Sequence, residues 1–213
     1  MFYTMFSTLT DFEPYPSLIF FTVGCNLRCK YCYNYELFNA TPKITLLDAI
    51  KEIQKHRNLI SGVVISGGEP TLHQEELISF LEHVRSLDLK IKVDTNLTIP
   101  LNQKFIELIN GVSVTLKPRG YYAKEHITNI FNNLKIVNDL EWKEFRITVV
   151  DDDFSLLSSI SPLITDWKIR IDPAIIPEKG IFSDVKIPEE SYYEYINKHI
   201  LPYIEGASHV TIR

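Results

Sequence analysis

Nowhere in its 213 residues does this chain hold an apolar run of the roughly 18 residues or more that a membrane span requires. Basic runs are missing too. With a formal net charge of -5, broad attraction to nucleic acid or to an anionic membrane is excluded, and neither is expected as a partner. The opening residues, "MFYTMFSTLTDFEPYPS", lack the charged n-region and long apolar core of a secretory signal. Cysteine is scarce: there are 3, all inside "GCNLRCKYCYN", Gly24 to Asn34. None is left over for a disulfide framework, and a reducing, cytoplasmic compartment is expected. Internal linkers and low-complexity runs are also absent. Residues 1–213 therefore read as a single domain, with a core about 17–180 and a C-terminal helical or extended segment 181–213. Apolar residues make up 45% of the chain, enough to bury a full core.

What the chain does have is alternation. Strand-like runs occur at Ser17 to Val23, Gly62 to Ser66, "KIKVDT" from Lys90, "VSVTLK" from Val112, "FRITVV" from Phe145 and "WKIRID" from Trp167. Helix-period segments fall between them: Thr45 to Arg57, a stretch carrying Leu77, Leu81 and Val84, Ile99 to Ile109, His126 to Leu140 and Ser155 to Ile164. A last helix is expected from about Glu189 to Tyr203. Thr71 and Gln74 have capping-box spacing ahead of the second helix. Strand–helix repetition of this length means βαβ units and a parallel sheet. Six units are too few for a closed eightfold barrel, so the α/β fold is a partial (β/α)6 TIM-like barrel or a doubly wound sheet. Both gather ligands at the carboxyl ends of the strands. The cysteines and "GGEP" follow the first two strands there.

Cys25, Cys29 and Cys32 have C-x3-C-x2-C spacing. Thiolates are soft ligands that select zinc, copper(I) or iron–sulfur clusters. A structural zinc site closes with four ligands; His56 or His73 would have to supply the fourth, and both lie in segments read as helical. Three thiolates on a [4Fe–4S] cubane leave one iron open to a substrate or cofactor. Three buried structural cysteines are the plain alternative.

C-x3-C-x2-C after a first strand, with "GGEP" after the second, resembles the radical S-adenosylmethionine (SAM) superfamily. The resemblance implies one [4Fe–4S] cluster ligated by Cys25, Cys29 and Cys32, with SAM chelated at the open iron. Reductive cleavage of SAM then yields a 5′-deoxyadenosyl radical that abstracts hydrogen. It also places Tyr31 near the adenine and gives the SAM amino group to Gly67, Gly68, Glu69 and Pro70. "VDTN", "TLKP" and "FRITVVDDD" further resemble activating enzymes of glycyl radical proteins, especially the anaerobic ribonucleotide reductase type. That likeness runs from about Leu9 to Gly180. It implies SAM contacts from Asp94, Thr95 and Asn96, catalytic roles for Lys117 and Arg146, a glycyl radical enzyme as partner and a flavodoxin- or ferredoxin-like electron donor. No second cysteine cluster is present for an auxiliary centre.

Three positions depart from that pattern. Leu97 stands for the usual glycine, Thr115 for an aspartate and Tyr33 for a histidine. Without the second carboxylate, Lys117 is expected to pair with Asp94 in place of a monovalent cation. Two other readings follow from the same residues: a small-molecule enzyme resembling 7-carboxy-7-deazaguanine synthases, and a non-catalytic iron–sulfur or zinc module.

Overall fold

A computed structural model describes residues 1–174, 188, 191–204 and 206–213. Eight strands form one sheet in the order of the sequence. They are β1 (Phe2–Thr8), β2 (Ser17–Thr22), β3 (Gly62–Gly67), β4 (Lys90–Thr95), β5 (Gly111–Leu116), β6 (Trp142–Val149), β7 (Lys168–Pro173) and β8 (His209–Ile212). Strands β2 to β7 are parallel, as the crossover lengths require. The helices are α1 (Leu46–Lys55), α2 (Gln74–Ser86), α3 (Gln103–Leu108), α4 (Lys124–Val137), α5 (Leu156–Ile160) and α6 (Tyr192–His199). The parallel strands and their helices are the partial (β/α)6 barrel expected from the sequence.

Successive strand side chains face opposite ways, and the two faces here differ in kind. The outward face is apolar: Phe20, Ile65, Val93, Val114, Phe145 and Ile171 join one core with Leu77, Phe80, Phe105 and Leu134 of the helices. The inward face is largely polar, carrying Lys92 and Asp94 on β4, Ser113 and Thr115 on β5, Glu144 and Arg146 on β6, and Arg170 and Asp172 on β7. A small second cluster of Phe12, Ile19 and Val64, joined by Tyr15 and Trp142, closes the barrel near the amino ends of its strands. Phe12 meets Trp142 edge-on at 5.4 Å between ring centroids.

Two strands were not legible as such. β1 runs antiparallel to β2 and buries Phe2 against Phe20 and Phe80. β8 adds to β7 in parallel with its side chains mostly exposed. The expected boundary near residue 180 lies outside the described residues. The capping box at Thr71 and Gln74 does not form. Glu69 caps a short 3-10 turn over Pro70–His73 instead, and α2 starts only at Gln74. The third helix begins at Gln103 rather than Ile99, because Asn102 is its cap and accepts from Phe105 N. The preceding residues are held outside the helix by Asn133, whose amide donates to the carbonyls of Leu97 and Ile99. The last helix is shorter than expected and spans Tyr192–His199.

Candidate active site

Three loops meet at the carboxyl ends of β2, β3 and β4. The first two are stitched by backbone. Gly68 N donates to Thr22 O (3.0 Å) and Glu69 N to Gly24 O (2.8 Å). Gly68 has to be glycine for this contact, since a Cβ there would collide with the Gly24 carbonyl oxygen. The His73 ring nitrogen Nε2 lies 2.8 Å from Val23 O, a further tie just ahead of the cysteines. His73 ends the 3-10 turn and is not free to act as a metal ligand through that nitrogen.

Glu69 ties the second loop to the third. Its carboxylate accepts from Thr71 N (3.1 Å), Thr71 Oγ1 (2.7 Å), Thr95 Oγ1 (2.6 Å) and Asn96 N (2.8 Å). Burial pushes its carboxyl up, and these four bonds offset only part of that. Both carboxylate oxygens of Glu69 are therefore engaged by the protein. The Asn96 side chain continues the network. Asn96 Nδ2 donates to Asn26 Oδ1 (3.1 Å), and Asn26 Nδ2 to Thr98 Oγ1 (2.7 Å). Asn26, inside the cysteine loop, was not singled out in the sequence.

The three thiols line one cavity of about 410 Å³ together with Tyr31, Gly67, Gly68, Glu69, Asp94, Thr95, Asn96, Lys117 and Arg146. Pro70 does not reach it; the residue is buried at the start of the 3-10 turn. Cys29 is buried, Cys25 and Cys32 half-buried, and all three are free thiols. Burial pushes Cys25 up to about 12. Burial also raises Cys29 and Cys32, and the Lys117 ammonium offsets part of the rise at both. Lys117 Nζ sits 5.8 Å from the Tyr31 ring centroid. Tyr31 meets Tyr121 edge-on at 5.7 Å, and Tyr121 Oη accepts from Lys30 N (3.2 Å). Lys117 therefore faces the cysteine loop, and the expected Asp94–Lys117 pair does not form.

Asp94 pairs instead with Lys92, two residues earlier on the same strand, at 2.7 Å. That ion pair opens a ladder of alternating charge across three strands. Asp94 lies 3.8 Å from Arg146 Nη1. Arg146 Nε donates to Glu144, and Glu144 lies 3.8 Å from Arg170 Nη1. Arg170 Nε donates to Asp172 at 2.7 Å. Arg146 also approaches Asp11 at 3.8 Å, and Ser113 Oγ donates to Glu144 at 3.0 Å. Burial raises Asp94 and Glu144, but their cationic neighbours outweigh it and leave both below the usual carboxylate range. Lys92 is lowered by burial, with Asp94 restoring only part. Lys92, Glu144, Arg170 and Asp172 were all missed in the sequence. The signal was present: K-x-D, E-x-R and R-x-D each place two opposite charges on one face of a strand.

The donor set fits an iron–sulfur cluster. Three soft sulfurs line one wall with a lysine charge near two of them. Among the described residues, no three His, Cys, Asp or Glu side chains converge on a point that one ion could occupy. A cubane holds its thiolates on three separate irons and needs no such point.

Comparison with known proteins agrees. Residues 19–137 match the model of the radical SAM superfamily. A protein of Methanocaldococcus jannaschii, named as a glycyl-radical enzyme activating enzyme, is 30% identical over 216 residues, covering 92% of this chain and 89% of its own. A 7-carboxy-7-deazaguanine synthase of Aquifex aeolicus is 28% identical over 195 residues, covering 89% of this chain and 83% of its own. Among solved structures, QueE from Escherichia coli superposes with a TM-score of 0.61 at 17% identity, covering 100% of this chain and 92% of its own. SuiB of Streptococcus suis, solved with S-adenosylmethionine, gives 0.66 at 14% identity; 92% of this chain matches 49% of that one. The chain therefore belongs to the radical SAM superfamily, whose members use a [4Fe–4S] cluster and S-adenosylmethionine.

Proposed function

We propose that residues 1–213 act as one radical SAM domain that activates a glycyl radical enzyme by taking a hydrogen atom from a glycine of that partner. The observation that carries the chemistry is the meeting of three thiols and the Gly67–Gly68 backbone in one cavity at the carboxyl ends of parallel strands. The finer assignment is supported by the likeness to the Methanocaldococcus relative, which runs along most of both chains. When bound, the cluster and SAM supply a 5′-deoxyadenosyl radical, using one electron from a flavodoxin- or ferredoxin-like donor.

In this reading Cys25, Cys29 and Cys32 hold the cluster. The backbone of Gly67, Gly68 and Glu69 takes the SAM amino group, with Pro70 setting the turn behind it. Asp94, Thr95 and Asn96 border the SAM from the neighbouring loop, and Tyr31 flanks the adenine. Lys117 places positive charge beside the thiolates, and Arg146 anchors the far wall. After anaerobic reconstitution we expect about four irons per chain, and loss of that iron in Cys29→Ala. Stable stoichiometric zinc in place of iron would overturn the assignment. With a reductant, SAM and the cognate glycyl radical enzyme, 5′-deoxyadenosine and an EPR doublet on the partner are expected.

A second reading is favoured by one specific observation, the likeness to the Aquifex synthase over most of both chains. It predicts formation of 7-carboxy-7-deazaguanine from a diffusible precursor and no radical on any protein.

A further inference from the structure

The ion ladder ends at the cavity. Arg170 and Asp172 both line it, on β7, well removed in sheet order from β2, which the cysteines follow. Glu144, only 2% exposed, lies between the two guanidiniums of the ladder, bonded to Arg146 and 3.8 Å from Arg170. Arg170 gives Nε to Asp172. Nη1 faces Glu144, and Nη2, without a partner among the described residues, is left for a ligand. Asp172 takes that bond on Oδ2, and Oδ1 remains an acceptor. A donor and an acceptor are thus fixed side by side on the cavity wall.

The charge balance indicates what they suit. Lys92, Arg146 and Arg170 face Asp94, Glu144 and Asp172, and Asp11 adds a fourth carboxylate beside Arg146. The ladder carries no surplus positive charge with which to draw in an anion. A neutral ligand with an adjacent acceptor and donor fits it better than a carboxylate does, and the peptide group is such a ligand.

We propose that Arg170 and Asp172 form a subsite that grips the backbone of a peptide substrate. Arg170 donates to a carbonyl oxygen, Asp172 accepts from an amide N–H, and Glu144 is a positioning residue that aims Arg170. This rests on the activase reading and names the substrate as a peptide segment recognised through its backbone. Such a grip suits a glycine, which has no side chain to hold.

The test uses the cluster-loaded protein with SAM and the capped peptide acetyl-Ala-Gly-Ala-amide. Two analogues each replace one N–H beside the glycine Cα by an ester oxygen. Binding is followed by chemical-shift titration, which needs no turnover. In the wild type, one ester is expected to bind roughly tenfold more weakly than the amide, the size of one charge-assisted hydrogen bond. In Asp172→Leu that amide-to-ester ratio should fall towards one, because the side chain no longer offers an acceptor. The ratio is taken within each protein, so general loss of folded material cancels. Arg170→Gln, which disturbs the same dyad from the donor side, should weaken amide and both esters together. Wild-type ratios retained in Asp172→Leu, with unchanged affinity in Arg170→Gln, would overturn the subsite while leaving the activase reading intact. Absence of peptide binding in the wild type, with 5′-deoxyadenosine formed only on a heterocycle, would overturn both.

Discussion

Leu97 shows what a single residue contributes to this site. Its backbone sits at φ +56, a left-handed conformation that costs a non-glycine residue about 1–2 kcal/mol. Its side chain is nonetheless fully buried in the main core. Leu97 N donates to Thr95 Oγ1 at 3.0 Å, and Asn133 holds its carbonyl. Restoring glycine relieves the backbone but empties a core position, and core Leu truncation costs about 2–5 kcal/mol. The lost packing outweighs the relieved backbone: Leu97→Gly should be destabilised by about 1–3 kcal/mol, read as a lower urea midpoint. Glu69 is the complementary case, a side chain whose value lies in what it joins. Glu69→Ala leaves four donors from two loops unanswered, and each buried unsatisfied donor costs about 1–3 kcal/mol. We expect Glu69→Ala to lose stability and cluster iron together, measured by urea melts and iron content. A variant that keeps full iron and stability and loses only SAM affinity would place the Glu69 side chain in SAM binding rather than in joining the loops.

At the scale of the elements, most of the architecture was legible because strands and helices here have clean periods. The outward strand residues are mostly apolar, and the crossover lengths fit helices. β1 and β8 were not legible: β1 lies outside the βαβ units, and β8, though parallel to β7 across α6, is mostly exposed. β8 is four residues long, and β1 is defined by its antiparallel pairing with β2 rather than by its own pattern. The site was legible where chemistry clusters in sequence, as in the cysteines and "GGEP". It was not legible where the partners sit on different strands. Lys117 seemed to need Asp94, yet the strand order gives Asp94 a lysine of its own. Position 92 shares a face with 94 on β4, and Lys92 closes on the Trp142 ring at 5.0 Å. Breaking a buried ion pair from one side typically costs about 3–5 kcal/mol. Lys92→Met should therefore lose about that much, since Arg146, at 3.8 Å, is the only other cation the structure gives near Asp94 among the described residues. Lys92→Met combined with Asp94→Asn should recover part of the loss. A double-mutant cycle on urea stability reads the coupling; a coupling near zero would mean the pair is not energetically linked.

For the whole molecule, the ladder makes the barrel interior an acid-sensitive element that links β4, β6 and β7. Asp94 and Glu144 have folded-state pKa values below their ordinary values of 3.8 and 4.5. The unfolded chain therefore binds protons first as the pH falls. Their contribution to stability is fully present above the unfolded values and is lost as the pH drops through the lowered, folded ones. Glu69 runs the other way. Its pKa is raised, so its contribution is present below 4.5 and is lost as the pH rises through the folded value. Two groups with lowered values act against one with a raised value. The steepest loss should therefore lie below about pH 4.5, where Asp94 and Glu144 protonate and Lys92 and Arg146 lose the carboxylates paired with them. In urea melts between pH 7 and pH 3, the wild type is expected to fall steeply across that acid limb. Asp94→Asn with Glu144→Gln should start lower at pH 7 and fall less. Equal slopes in the two proteins would show that acid sensitivity comes from surface carboxylates, and that the ladder keeps its charge state throughout.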